Sequence, residues 1–250
     1  MSGYGRFAYF YDALTKNVDY PARVDRILGF FRKYGITDGI LLDAACGTGS
    51  MAELFCAAGF EVVGADASEE MLGEALNKKY ESGSDILYLN QDIRSLDLFG
   101  SIRCAVCCLD SLNHLPTAQD LFRAIHSVGF FMEKDGIFVF DVNTEFKHKT
   151  VLADNTFVYD LDEIYCVWQN SYDCEAKRTD IRLDLFIPGD DGLYEREEEA
   201  FSEYVYSDAV IRECAERANF RVEEVCGEEA DPVREDEQRV YYICRKLRDQ

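Results

Sequence analysis

The chain has 250 residues, of which 48% are hydrophobic and 30% charged, enough to bury one full α/β core with a subdomain set into it. Its 48 acidic against 26 basic residues give a net charge of −22, which repels phosphate backbones and argues against a DNA or RNA substrate. No stretch approaches the roughly 18 uncharged apolar residues of a membrane span, and the first residues lack the zones of a secretory signal, so the expected compartment is the cytoplasm.

Residues 19–35 place Val24, Ile27, Leu28 and Phe31 at helical spacing, with Asp19 as cap, Pro21 in the first turn and Gly35 as stop. Strand and helix patterns then alternate: strand 40–42, helix 50–58, strand 61–65, helix 68–79, strand 86–89, strand 103–109, helix 117–132 and strand 137–142. Alternation of this kind predicts an α/β fold, a parallel sheet covered by helices on both faces. From about Asn143 the period changes to two, with turn residues at 188–192, which predicts an antiparallel β insert over 144–206. Entering just after strand five and rich in aromatics (Phe157, Tyr159, Tyr165, Trp168, Tyr172), the insert is expected to cover the sheet's carboxyl edge as a lid that selects substrate; the alternative is that its strand edges let two copies of the chain pair as a homodimer. Helix 207–219, capped by Ser207, restores the helical period. Strands 221–226 and 239–245, joined without a helix, read as an antiparallel hairpin at the sheet edge.

The segment LLDAACGTGS at 41–50 runs an apolar strand into Asp43 and then Gly47 and Gly49 before a helix. Glycines let the chain turn tightly against a ligand, and the helix that follows offers its positive end. Taken alone, Gly47-x-Gly49-x-x-Ala52 also fits a dinucleotide fingerprint, so an NAD-dependent oxidoreductase is the alternative within this fold class. Asp43 ahead of the glycines favours a ligand carrying an ammonium and a sulfonium over one carrying a pyrophosphate, and Asp66, ending the second strand, suits two ribose hydroxyls. In Asn90-Gln91-Asp92-Ile93, the Asp92 carboxylate can pair with an adenine amino group while a neighbouring backbone N–H reaches a ring nitrogen; the other reading of Asp92 is a turn cap.

Three blocks, Asp43-Ala44-Ala45-Cys46-Gly47-Thr48-Gly49, Gly64-Ala65-Asp66-Ala67-Ser68-Glu69-Glu70-Met71-Leu72 and Gln91-Asp92-Ile93, together resemble the signature of class I S-adenosylmethionine-dependent methyltransferases in order and spacing. The resemblance implies a Rossmann-like, seven-stranded, mostly parallel sheet, with 1–143 and 207–250 forming the cofactor-binding domain and 144–206 the insert after strand five. It implies S-adenosylmethionine as cofactor, bound by Tyr11, Asp43, Ala45, Gly47, Gly49, Asp66, Ala67, Met71, Asp92, Ile93, Leu109 and Asp110. Ala45 stands where the family more often has glycine.

The blocks 7–12 (FAYFYD) and 109–115 (LDSLNHL) resemble a bacterial branch of that family, small-molecule N-methyltransferases that include enzymes acting on glycine and on amino sugars. That resemblance implies Tyr11 near the sulfonium, Met71 under the adenine and ribose, and Asp110, Asn113 and His114 near the transferred methyl, with His114 as base where one is needed. The competing readings are core packing for Tyr11 and Met71, and a cap or a buried, hydrogen-bonded side chain for His114. Cys104-x-x-Cys107 lies on two faces of one strand without a second pair, so no metal is expected there, and the ten cysteines are expected as free thiols. Asp110, Asp141 and Asn143 match only loosely the magnesium carboxylates of catechol-type O-methyltransferases. The expected reaction is in-line methyl transfer to a small molecule, at nitrogen; a non-catalytic module that binds the cofactor or a protein is the alternative from another class.

Overall fold

Segments apolar on both faces belong in the middle of a covered parallel sheet. The computed structural model, which describes residues 6–189, 191–228 and 231–248, places them there. Strands β1 (Ile40–Ala44), β2 (Glu61–Asp66), β3 (Leu87–Asn90), β4 (Ile102–Cys107) and β5 (Met132–Asn143) run parallel. The chain then leaves to form β6 (Thr156–Asp160), β7 (Tyr165–Asp173), β8 (Arg178–Pro188) and β9 (Tyr194–Tyr204), a separate antiparallel meander. It returns as β10 (Phe220–Gly227) and β11 (Arg239–Lys246), an antiparallel hairpin with β11 paired to β5 and β10 at the edge. The seven-stranded sheet has the order β10-β11-β5-β4-β1-β2-β3, so the direction of winding reverses between β4 and β1. In open α/β sheets that reversal opens a crevice at the carboxyl ends of the strands.

Helices α1 (Phe7–Leu14), α2 (Tyr20–Lys33), α3 (Ser50–Ala57), α4 (Glu69–Ser82), α5 (Ala118–Phe131) and α6 (Asp208–Arg217) complete the chain. Their starts follow the capping rule: Asp19, Ser68, Thr117 and Ser207 each accept a backbone N–H of the first turn. One face of the sheet packs Cys107, Phe138 and Phe140 against Ile125 of α5 and Ile211 of α6. The other packs Leu41, Cys104 and Val139 against Ile27 and Phe31 of α2 and Phe55 of α3. Cys104 and Cys107 thus part to opposite faces, and all ten cysteines are free.

The third core was not foreseen in its full form. The block 7–12, given no element in the sequence reading, is part of α1, an eight-residue helix with no side-chain cap. So short a helix has little intrinsic stability and depends on tertiary packing. Phe7, Ala8, Phe10 and Leu14 supply it, sandwiched between Met71 of α4 and Ile181, Leu183 and Leu185 of the meander.

Candidate active site

At the end of β1 the chain needs a turn that side chains resist, and Ala45, Gly47 and Gly49 all adopt left-handed backbone, with φ of 61°, 54° and 75°. For Ala45 this costs about 1 kcal/mol, which accounts for glycine being the commoner residue there in the resembling family. The turn is fastened by Asp66, whose carboxylate accepts the Gly47 N–H at 2.8 Å and the Ser68 N–H at 2.9 Å. Asp43, 3% exposed, points its Oδ2 into this region without a hydrogen-bond partner among the described residues. Burial, with the Asp66 charge adding to it, raises the Asp43 carboxyl to about 7.

A second turn follows β4. Leu109 and Asp110 are both left-handed, each with φ 57°, and their amides donate to the two oxygens of Asp141, each at 2.9 Å. Arg239, opening β11, donates to Asp141 through Nη1 and to Asp110 Oδ1 through Nη2, the latter at 2.6 Å. Asp141 is fully buried, and its oxygens accept from the Leu109 and Asp110 amides and from Arg239. Burial pushes the Asp110 carboxyl up, but Arg239, Lys147 and His114 outweigh it and hold it below the usual carboxylate range. Burial keeps the His114 imidazole below its ordinary value, only partly offset by Asp110, so the ring is neutral at pH 7.

Both turns open into one cavity of about 720 Å³, within the 300–1,000 Å³ usual for small-molecule sites. Of the residues singled out in the sequence, Tyr11, Asp43, Ala45, Gly47, Asp66, Ala67, Met71, Asp92, Ile93, Leu109, Asp110 and His114 line it. Gly49 does not. It stands behind the wall, where an added Cβ would meet the Tyr88 hydroxyl at 2.4 Å and Ala75 at 3.0 Å, so its smallness serves packing as well as turning. Asp92 lines the cavity while also capping the turn Ile93–Ser95 and pairing with Arg94, which holds its carboxyl below the usual range. Tyr11 and Met71 combine the two readings offered for them, packing in the third core and facing the cavity.

Several residues of the site were missed. Asp12 accepts hydrogen bonds from Thr48 at 2.7 Å and Ser50 at 3.3 Å and pairs with Lys78 at 2.5 Å, fastening α1 beside the glycine turn. On the far side, Phe201 and Glu203 of the meander join Lys147 and Arg239 in the lining, beside Trp168, one of the aromatics expected in the insert. The Phe201 ring lies 5.3 Å from that of His114. Asp110, His114 and Glu203 bring one ligand-capable atom each to within 4.8 Å of one another, a spacing able to hold a cation. Period two could have found Glu203: it shares the inward face of β9 with Phe201.

Comparison with known proteins agrees with this geometry. Residues 41–129 match the methyltransferase domain family. YqeM, a methyltransferase-family protein of Bacillus subtilis (strain 168), is 31% identical over 91% of this chain and 90% of its own. The crystal structure of an S-adenosylmethionine-dependent methyltransferase from Clostridium acetobutylicum superposes with a TM-score of 0.86, at 28% identity, over 98% of this chain and 99% of that one. A glycine/sarcosine N-methyltransferase of Halorhodospira halochloris is 30% identical over 53% of this chain and 51% of its own. The dinucleotide-enzyme alternative is thereby set aside, and the chain belongs to the class I methyltransferases, whose methyl donor is S-adenosylmethionine.

Proposed function

We propose that the protein transfers a methyl group to the nitrogen of a small molecule. The observation that carries this reading is the single cavity shared by the glycine-turn wall and a chamber roofed by the antiparallel sheet. Its volume suits a small molecule, and the net charge of −22 keeps nucleic acid away. The residues fit the donor: the unpartnered, buried Asp43 Oδ2 suits its ammonium, Asp66 retains lone pairs for ribose hydroxyls, and Met71 with Ile93 offers an apolar bed. When bound, S-adenosylmethionine supplies an already activated methyl, passed on by in-line displacement.

The chain's own task is therefore alignment and exclusion of water. Tyr11 and Trp168 present aromatic faces to a cationic centre, and neutral His114 can accept a proton or orient the acceptor. The meander, 144–206, acts as a lid that selects the acceptor, while 1–143 with 207–250 holds the cofactor. The similarity to a glycine/sarcosine N-methyltransferase supports nitrogen, though it lies in the cofactor half; the acidic, aromatic chamber is the stronger support. No helix among the described residues is long and apolar enough to cross a membrane, in keeping with a cytoplasmic site of action. Incubation with isotopically methyl-labelled S-adenosylmethionine and a panel of amines, phenols and carboxylic acids tests the reading. Label on an amine is expected; label on phenols or acids alone removes the nitrogen acceptor, and cofactor binding without transfer to any of them returns the chain to a binding module.

A further inference from the structure

We propose that Glu203 is a catalytic residue, the proton acceptor for an aliphatic primary or secondary amine that enters the chamber as its ammonium ion between Asp110, His114 and Glu203. This deepens the nitrogen reading above and rests on it. Glu203 pairs with Thr179 one residue before the end of β9 and is 3% exposed, yet it lines the cavity. Its Oε2 is held from behind by Asn143 Nδ2 at 2.9 Å, with His148 Nε2 at 3.7 Å, and Asn143 is itself gripped by Asn113 and by Lys147 Nζ. The other oxygen, Oε1, accepts no hydrogen bond among the described residues.

Charge selects the class of ligand. Around the chamber Asp110, Asp141 and Glu203 face the cations Arg239 and Lys147, while burial keeps His114 below its ordinary value and His148 at about 4, so both rings are neutral at pH 7. Arg239 also meets Glu228 at 3.7 Å, so once Glu203 is ionised the carboxylates outnumber the cations there, which favours a cationic ligand. Ammonium donors also match three acceptors gathered within 4.8 Å. Burial, with Asp110 adding to it, raises the Glu203 carboxyl, which makes it a stronger base toward an ammonium proton than an ordinary carboxylate.

The step balances. The ammonium gives one proton to a Glu203 oxygen and regains a lone pair. That pair forms the N–C bond to the methyl as the C–S bond breaks, its electrons leaving with sulfur. The product is an alkylammonium, and the proton on Glu203 returns to water when the product departs.

The test uses the full chain and Glu203→Gln, which keeps the shape and the Asn143 contact but cannot take a proton. Ethylamine, glycine and galactosamine are assayed for methylation across pH 6–9. The same amines are titrated calorimetrically into the S-adenosylhomocysteine complex. Expected are a fall in kcat of about 10²–10⁴-fold, loss of the pH dependence attributed to Glu203, amine affinity at least tenfold weaker by the cited size of a charged contact, and unchanged cofactor affinity, with Glu203→Asp recovering part of the rate. Amines methylated equally well by Glu203→Gln with the same pH profile overturn the role of Glu203 and leave the nitrogen reading intact. No amine methylated by the unmodified protein removes the nitrogen reading and this inference with it.

Discussion

Asp43→Asn separates what the carboxylate costs the free protein from what it gives the complex. A carboxyl raised by burial contributes stability below its unfolded value, near 3.8, and loses it as pH rises through about 7, because above that pH a buried charge must be held without a partner. Each pH unit in that window is worth 1.36 kcal/mol. Between pH 5 and pH 7 the unmodified protein should therefore forfeit up to about 2.7 kcal/mol that an uncharged asparagine does not. Urea denaturation of both proteins without cofactor, at pH 5, 6 and 7, reads this directly as a widening advantage for Asp43→Asn. In the complex the sign reverses: an ammonium beside Asp43 favours the ionised form. Binding of S-adenosylmethionine at pH 6 should release a proton, and affinity should weaken by up to about tenfold per unit below pH 7. The variant should bind weakly with no such slope. Parallel stability curves for the two proteins, or a cofactor affinity flat from pH 5 to 7 in the unmodified one, would refute the reasoning.

Ala45→Gly should stabilise the free protein by about 1 kcal/mol through relief of the left-handed alanine, checked by denaturation midpoint; destabilisation would mean that the added chain entropy outweighs the strain. Asp66→Ala should weaken cofactor binding by about 1.5–3 kcal/mol. It should also lower the melting temperature, since the Gly47 and Ser68 amides lose their acceptor; unchanged affinity by calorimetry would count against its place at the ribose. Trp168→Ala should raise the acceptor KM at least several-fold and leave cofactor affinity within twofold, and an equal loss of both would show that the meander is no selective lid.

The parallel core was legible because each strand and helix there announces itself locally. Asp19, Ser68, Thr117 and Ser207 stand before apolar stripes of the right period, and glycines fall where a left-handed turn is required. The glycine-turn wall shared that advantage, since Asp43 and Asp66 stand at strand ends and Gly47 and Asp92 in the turns just beyond strands. The acceptor chamber did not. Glu203 sits in an acidic run, REEEAFSEY, where composition gives it no distinction from Glu197–Glu199. Period two sets it on one face with Phe201, but which face is covered is decided by the fold, which lays β9 against the turn after β4. Arg239 looks like any strand-opening arginine until Asp110 and Asp141, distant in sequence, are placed against it. Helix α1 escaped for a related reason: eight aromatic-rich residues form a helix because Met71 and the meander enclose them, and neither is near in sequence.

That enclosure bears on how the protein could be redesigned. Arg6 reaches Glu195 at 2.5 Å and Glu197 at 3.1 Å on β9, while Asp12, less than two turns along, is fastened to Lys78, Thr48 and Ser50 beside the glycine turn. One short helix is tied to both halves of the cavity. A substitution that shifts α1 will change donor and acceptor affinities together, and selections for new substrates that start there will trade one against the other. Positions on β7 and β9, Trp168 and Phe201 among them, touch the chamber without bracing the glycine turn, so variation belongs on those strands.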